Sequence, residues 1–156
     1  MELDLSIFKK NYLVVGLTDE QVRLVAELAE FKVVNSGVEI VRMGATDPDL
    51  FVIIDGHAMV YAKEGTVLGE RGPGSVIGEI TLVDNQPRSA YVTAKGALTI
   101  AKFDGAKLRK FMFANKDIGF IMLSNLARVL SMRLREASST IEDLQGQLTD
   151  PWRLIQ

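Results

Sequence analysis

The sequence predicts a mainly β fold with flanking α: a jelly-roll β-barrel with an N-terminal helix, a short helix inserted among the strands and a long C-terminal helix. Three observations predict it. Across residues 31–103, short β-branched runs alternate with glycine-containing turns. Within that stretch, residues 78–83 break the rhythm, with no turn chemistry until Asp84-Asn85-Gln86-Pro87. Beyond Asp104, apolar residues recur at helical spacing almost to the end of the chain.

The elements follow in order. Thr18-Asp19-Glu20-Gln21 reads as a capping box, the Thr18 hydroxyl and Gln21 amide satisfying backbone donors that a helix start leaves free. Val22, Val25, Leu28 and Ala29 then share one face. The β runs are 31–34, 38–42, 50–54, 57–62, 66–68, 90–94 and 98–103. Between them lie Ser36-Gly37, Gly44 with Asp47-Pro48, Asp55-Gly56, Glu64-Gly65, Gly72-Pro73-Gly74 and Lys95-Gly96. Asp-Gly between apolar runs predicts a tight hairpin, because these residues tolerate positive φ. Many short strands at such spacing indicate a sandwich or a jelly roll.

Asp104 is placed to cap a short amphipathic helix carrying Leu108, Phe111 and Met112, and Asp117 to cap the next. Leu123, Ala127, Leu130, Leu134, Ala137, Ile141, Leu144 and Leu148 recur at steps of four and three. That is a heptad seam. From about Leu134 onward it is expected to pair two copies of the chain, while Gly146 weakens the helix and Pro151 ends it.

The totals set bounds. A chain of 156 residues suits one domain spanning 1–156, with the barrel at about 31–103 and the C-terminal helices at about 105–148. With no cysteine, disulfides, thiol nucleophiles and thiolate metal sites are excluded. His57, the single histidine, cannot build the imidazole cage of a cupin enzyme and is expected to be an exposed strand residue. A net charge of −2 exerts no general pull on nucleic acid or anionic lipid. Arg128, Arg133 and Arg135 are offset by Glu136, Glu142 and Asp143 and read as a solvated helix face. No stretch approaches the roughly 18 apolar residues of a membrane span. The start shows no signal peptide, which places the chain in the cytoplasm as an expectation. Neither a dinucleotide fingerprint nor a Walker sequence is present.

Two charged residues stand out. Glu79 follows Gly78, and Arg88 follows Asn85-Gln86-Pro87, both among apolar neighbours where a lone charge is costly to bury. Either they pair with each other or each awaits a group on a ligand. Phosphate chemistry accounts for the segment: a helix start offers amides to an anion, glycine permits close approach, and arginine forks two phosphate oxygens. Ser89 can donate one more bond. Glu79 would repel a phosphate, but it can accept from a sugar hydroxyl.

Gly78-Glu79-Ile80-Thr81-Leu82 followed by Pro87-Arg88-Ser89-Ala90 resembles the phosphate-binding cassette of the cyclic nucleotide-binding domain family, in particular its catabolite activator protein-like sensor domains. Gly37-Val38-Glu39-Ile40, Gly44, the run from Leu50 to Gly56 and Pro73-Gly74 also sit where that family places its turns, so the resemblance covers roughly residues 15 to 145. It implies that Glu79 holds the ribose 2′-hydroxyl. Arg88 would bind the cyclic phosphate with Ser89, Ala90 and the amides of Gly78, Glu79 and Ile80. Arg133 and Ser138 on the long helix become candidates for base contact. Thr81 departs from the small residue usual in the family, and its β-branch is expected to crowd the helix near the phosphate.

The resemblance thus implies a non-enzymatic sensor with no cofactor. It would bind cAMP, with cGMP as the alternative, and signal through its C-terminal helix to an effector protein the sequence does not name. A homodimer through that helix is expected. Only residues 145–156 follow the seam, so neither direct DNA binding nor membrane association is expected. The alternative is a degenerate domain that acts as a dimeric interaction module without ligand, Glu79 and Arg88 being paired internally. Trp152 is read as a local packing residue or an aromatic cap on the pocket.

Overall fold

In the computed structural model, residues 5–149 are described; Pro151 and Trp152, and the expectations attached to them, lie outside these. The chain opens with α1 (Leu5–Phe8) and a 3-10 turn (Tyr12–Val14), then α2 (Asp19–Ala26). The capping box forms as expected: Gln21 N–H donates to Thr18 Oγ1 at 3.2 Å and Thr18 N–H to Gln21 Oε1 at 2.9 Å. Val22, Val25 and Ala26 are buried.

Six strands follow: β1 (Glu30–Val34), β2 (Glu39–Val41), β3 (Leu50–Tyr61), β4 (Val67–Arg71), β5 (Val76–Ile77) and β6 (Tyr91–Phe103). All pairings are antiparallel, in the order β1-β6-β3-β4, with β2 also on β6 and β5 also on β3. This is the expected fold class, although the sheet does not close into a ring.

The predicted hairpin at Asp55-Gly56 does not form. The runs 50–54 and 57–62 are one strand, and so are 90–94 and 98–103. The two long strands pair with each other along most of their length, and their register shifts between Ile53 and Asp55 and again between Asp55 and His57. Gly56 has φ +83, and a Cβ there would strike the Ala97 carbonyl. The glycine therefore serves a bulge at which the register of the two strands shifts, another use of positive φ. Strand β5 escaped sequence reading because two residues carry no periodicity.

Alternation along these strands separates two cores. Leu50 and Val52 of β3, with Ala101 and Phe103 of β6, join the helices in a cluster that includes Phe8, Leu108, Met122 and Leu126. Phe51 and Ile53, with Leu98 and Ile100, face the other way and pack with Val41, Ala58, Ile77, Val92 and Ala94. Both faces of the central strands are thus covered, which explains their unbroken apolar run. His57 is exposed, as expected.

The inserted helix is shorter than predicted: α3 is a single turn, Thr81–Asp84, ended by Asn85 at φ +53. Asp104 caps α4 (Gly105–Ala114) by accepting from the amides of Ala106 and Lys107. The long helix α5 (Lys116–Thr149) already includes Asp117, which is not its cap, and it runs on through Gly146. Its inner face is Ile118, Gly119, Met122, Asn125 and Leu126. The heptad residues lie on a different face: Leu123, Ala127, Leu134, Ala137, Ile141, Leu144 and Leu148 are exposed, and only Leu130 packs on the core. Phe120, missed in the sequence, extends this exposed seam one step toward the N-terminus and is 74% accessible. No described helix is long and apolar enough to cross a membrane.

Candidate functional site

A cavity of about 410 Å³ opens between the sheet, the residues around α3, and α5. Ligand pockets usually fall in the range of about 300–1,000 Å³. Val41, Val60, Val76, Ile77 and Val92 supply its apolar wall. The structure brings seven of the eight expected site residues to its lining: Gly78, Glu79, Ile80, Arg88, Ser89, Ala90 and Arg133. Ser138 is exposed on α5, five residues beyond Arg133, and does not line it.

Arg88 is buried, and its surroundings explain how a cation can be. Its backbone is held by the loop after β2: Gly44 N–H donates to its carbonyl and its own N–H donates to Ala45 O, both at 2.8 Å. Its Nη2 donates to Asp47 Oδ1 at 2.7 Å and to the Asp49 carbonyl. Its Nη1 donates to Thr81 Oγ1 at 3.2 Å and to the Gly78 carbonyl at 3.3 Å. The hydrogen bond from Arg88 holds the Asp47 carboxyl below the usual carboxylate range, with the Arg88 charge acting in the same direction and partial burial opposing. Four of the five guanidinium N–H directions are thereby used. The fifth, on Nε, is buried without a partner among the described residues. A buried guanidinium on a residue that lines the cavity has the charge to suit an anion.

Of the alternatives left open for Arg88 and Glu79, the two do not pair with each other: their partners are Asp47 and Arg133. Thr81 Oγ1 donates to the Gly78 carbonyl at 2.7 Å while accepting from Arg88, so it orients the guanidinium. Gly78 has φ +82, and a Cβ there would collide with Arg88 Nη1 and the Asp49 carbonyl. The glycine makes room for the arginine as well as for anything above it.

Glu79 is buried on the other side of the cavity, and its Oε1 accepts from Arg133 Nη1. The Arg133 side chain is 44% accessible, against 6% for Glu79. Sequence reading placed Arg133 in the site but as a base contact; its described partner is the carboxylate. Asp47 and Asp49 were missed. Asp47-Pro48 was legible only as a turn, since nothing local marks a partner 41 residues away.

A family model for the cyclic nucleotide-binding domain matches residues 31–115. The chain belongs to that family. It is 32% identical over 94% of its length to the cAMP-dependent protein kinase regulatory subunit of Yarrowia lipolytica, of which it covers 43%. The chain therefore spans less than half the length of this curated relative. Among solved structures, the Thermus thermophilus catabolite activator protein matches with a TM-score of 0.75 and 26% identity, over 86% of this chain and 63% of the other. The regulatory domain of Toxoplasma gondii PKA, solved with cAMP, matches with a TM-score of 0.67 and 21% identity, over 84% of this chain and 48% of the other.

Proposed function

We propose that this chain is a cAMP-binding regulatory module, residues 1–156 acting as one unit. The observation that carries the reading is the Arg88 guanidinium: a buried cation, fixed by four acceptors, on a residue that lines the cavity. A cyclic phosphate suits that charge. Ser89 and Ala90 line the cavity beside it, and Gly78, Glu79 and Ile80 border it from the α3 side. Glu79 has the acceptor chemistry for a ribose hydroxyl, and its partner Arg133 lies on α5, so sugar binding and helix position share one residue. cAMP is favoured over cGMP because the kinase relatives are named for it.

The output is a shift in α5, which a ligand can drive only through its difference in affinity between two arrangements. The exposed seam from Phe120 to Leu148 is suited to a second copy of this chain. In that heptad Arg133 precedes a core position and Ser138 follows one. A parallel pair sets such flanking positions side by side across the seam. Ser138, outside its own cavity, would then approach the neighbouring copy's. The chain acts on an effector protein and carries out no catalysis in this reading.

A second reading keeps the seam and discards the ligand; it is favoured by the fact that Glu79 and Arg88 both have protein partners already. Isothermal titration with cAMP and then cGMP, on the wild-type chain and Arg88→Ala, separates the two. Micromolar or tighter binding lost in the variant supports the sensor, and the stronger nucleotide identifies the base. No heat with either nucleotide in folded protein leaves the interaction module.

A further inference from the structure

Both acceptors of Arg88 Nη2, the Asp47 carboxylate and the Asp49 carbonyl, come from the residues on either side of Pro48. On its far side this loop borders a second cavity of about 360 Å³, lined by Ala45, Asp47 and Asp49 and also by Val34, Phe51 and Ile100. On that side a cavity, and not packed core, faces the loop. The loop is held instead from the end of β6 and the start of α4, which the pairing of Leu50 with Phe103 and of Phe51 with Lys102 brings beside it. Lys102 Nζ lies 2.8 Å from Asp49 Oδ2. Gly105, buried at the first position of α4, lies against Pro48: a Cβ there would fall 2.0 Å from the Pro48 carbonyl oxygen and 2.9 Å from its carbon. Gly105 belongs to the helix, so its backbone is one that any residue adopts, and what the glycine provides is space. Nor is the helix start free to draw back, because Asp104 fixes the first turn by accepting from the amides of Ala106 and Lys107.

We propose that Gly105 and Lys102 are positioning residues for Arg88: the β6–α4 junction sets the Asp47-Pro48-Asp49 loop, the loop sets the guanidinium, and affinity for the anion follows. The proposal rests on the nucleotide reading for the identity of that anion. Neither residue lines the nucleotide cavity, so neither is placed to touch the ligand. A methyl group at position 105 must displace Pro48, since a clash with a backbone oxygen is not relieved by rotating a side chain. Pro48 carries its two neighbours with it. Asp47 Oδ1 and the Asp49 carbonyl then leave Nη2 together, while Thr81 and Gly78 keep Nη1. The cation stays buried but loses its aim. Loss of the Lys102 ammonium frees the loop only at Asp49, which is the smaller disturbance.

Calorimetry with cAMP and a thermal cycle without nucleotide, both on the full chain, test this. Gly105→Ala is expected to weaken cAMP binding about tenfold, and Lys102→Met about two- to threefold. In the cycle, Asp47→Asn should lower Tm by a few degrees in the wild-type background and by less than half as much once Gly105 is Ala, because the same bonds are already weakened. Gly119→Ala is the control: a Cβ there would strike the Met112 carbonyl toward the other end of α4, and its effect on Tm should simply add to that of Asp47→Asn. Gly105→Ala that binds cAMP as tightly as a binding-competent wild type, or that is additive with Asp47→Asn, would overturn the proposal. Should Gly105→Ala fail to fold, Lys102→Met takes its place in the cycle, and additivity there overturns it equally. A wild-type chain that binds neither cAMP nor cGMP while the cycle remains coupled removes the nucleotide reading and leaves the positioning of Arg88 standing.

Discussion

The two charged side chains of the cavity are supported in opposite ways. Arg88 is fixed by the sheet and its loops: two backbone bonds to the β2–β3 loop, two acceptors from Asp47 and Asp49, and two more from Gly78 and Thr81. Glu79 depends on one half-exposed arginine from α5. One side of the cavity is therefore held by the sheet and its loops, and the other by a single contact with the long helix. An anion would meet a site already organised. A sugar would meet a carboxylate whose partner belongs to the long helix.

This contrast can be broken at four points. Arg88→Ala should have the largest effect, reducing nucleotide affinity by roughly a hundredfold or more in calorimetry, because it removes the buried cation that would pair with the phosphate. Unchanged affinity would mean that the anion does not lie at Arg88.

Asp47→Asn should come next, at about tenfold, since the hydrogen bond from Arg88 loses its charged acceptor and the guanidinium loosens. Its stability effect has a pH signature. The Asp47 pKa is lowered in the folded chain, so the pair contributes fully above the unfolded carboxyl value of about 3.9 and fades as pH falls toward the depressed value. The Tm gap between wild type and Asp47→Asn should therefore be present at neutral pH and close below about pH 4. A gap that persists undiminished in acid would assign it to something other than this pair.

Arg133→Ala should weaken binding by only about two- to fivefold, in keeping with a solvent-screened partner. A loss as large as that of Arg88→Ala would erase the distinction between the two sides. The smallest change in affinity, about twofold, is expected for Thr81→Val, with a Tm lowered by a few degrees because Arg88 Nη1 loses one acceptor.

The legible parts of the sequence were those with local causes. The capping box at Thr18, the Asp104 cap and the heptad of α5 each depend on residues a few positions apart, and each appears in the structure. Glycine was ambiguous. At Gly56 the residue tolerates positive φ in a bulge as readily as in a hairpin, and only the paired strand decides. Glu79 and Arg88 could be singled out as expensive charges, but their partners could not, because Asp47 and Arg133 reach them from far along the chain. Thr81 shows the same limit. Its side chain was legible as a departure from the family pattern, but its bond to Arg88 depends on a loop whose course the sequence does not reveal.

The length of α5 has a mechanical consequence. From Leu126, its last buried residue, to Thr149 the helix extends about 35 Å at 1.5 Å per residue. A tilt of about 5° at the sheet would therefore sweep its far end through about 3 Å, given that rise. In the proposed sensor the helix would work as a stiff lever that carries the grip on Glu79 close to its pivot, and an ångström-scale adjustment at the cavity would arrive at the tip as a displacement a neighbouring molecule could detect.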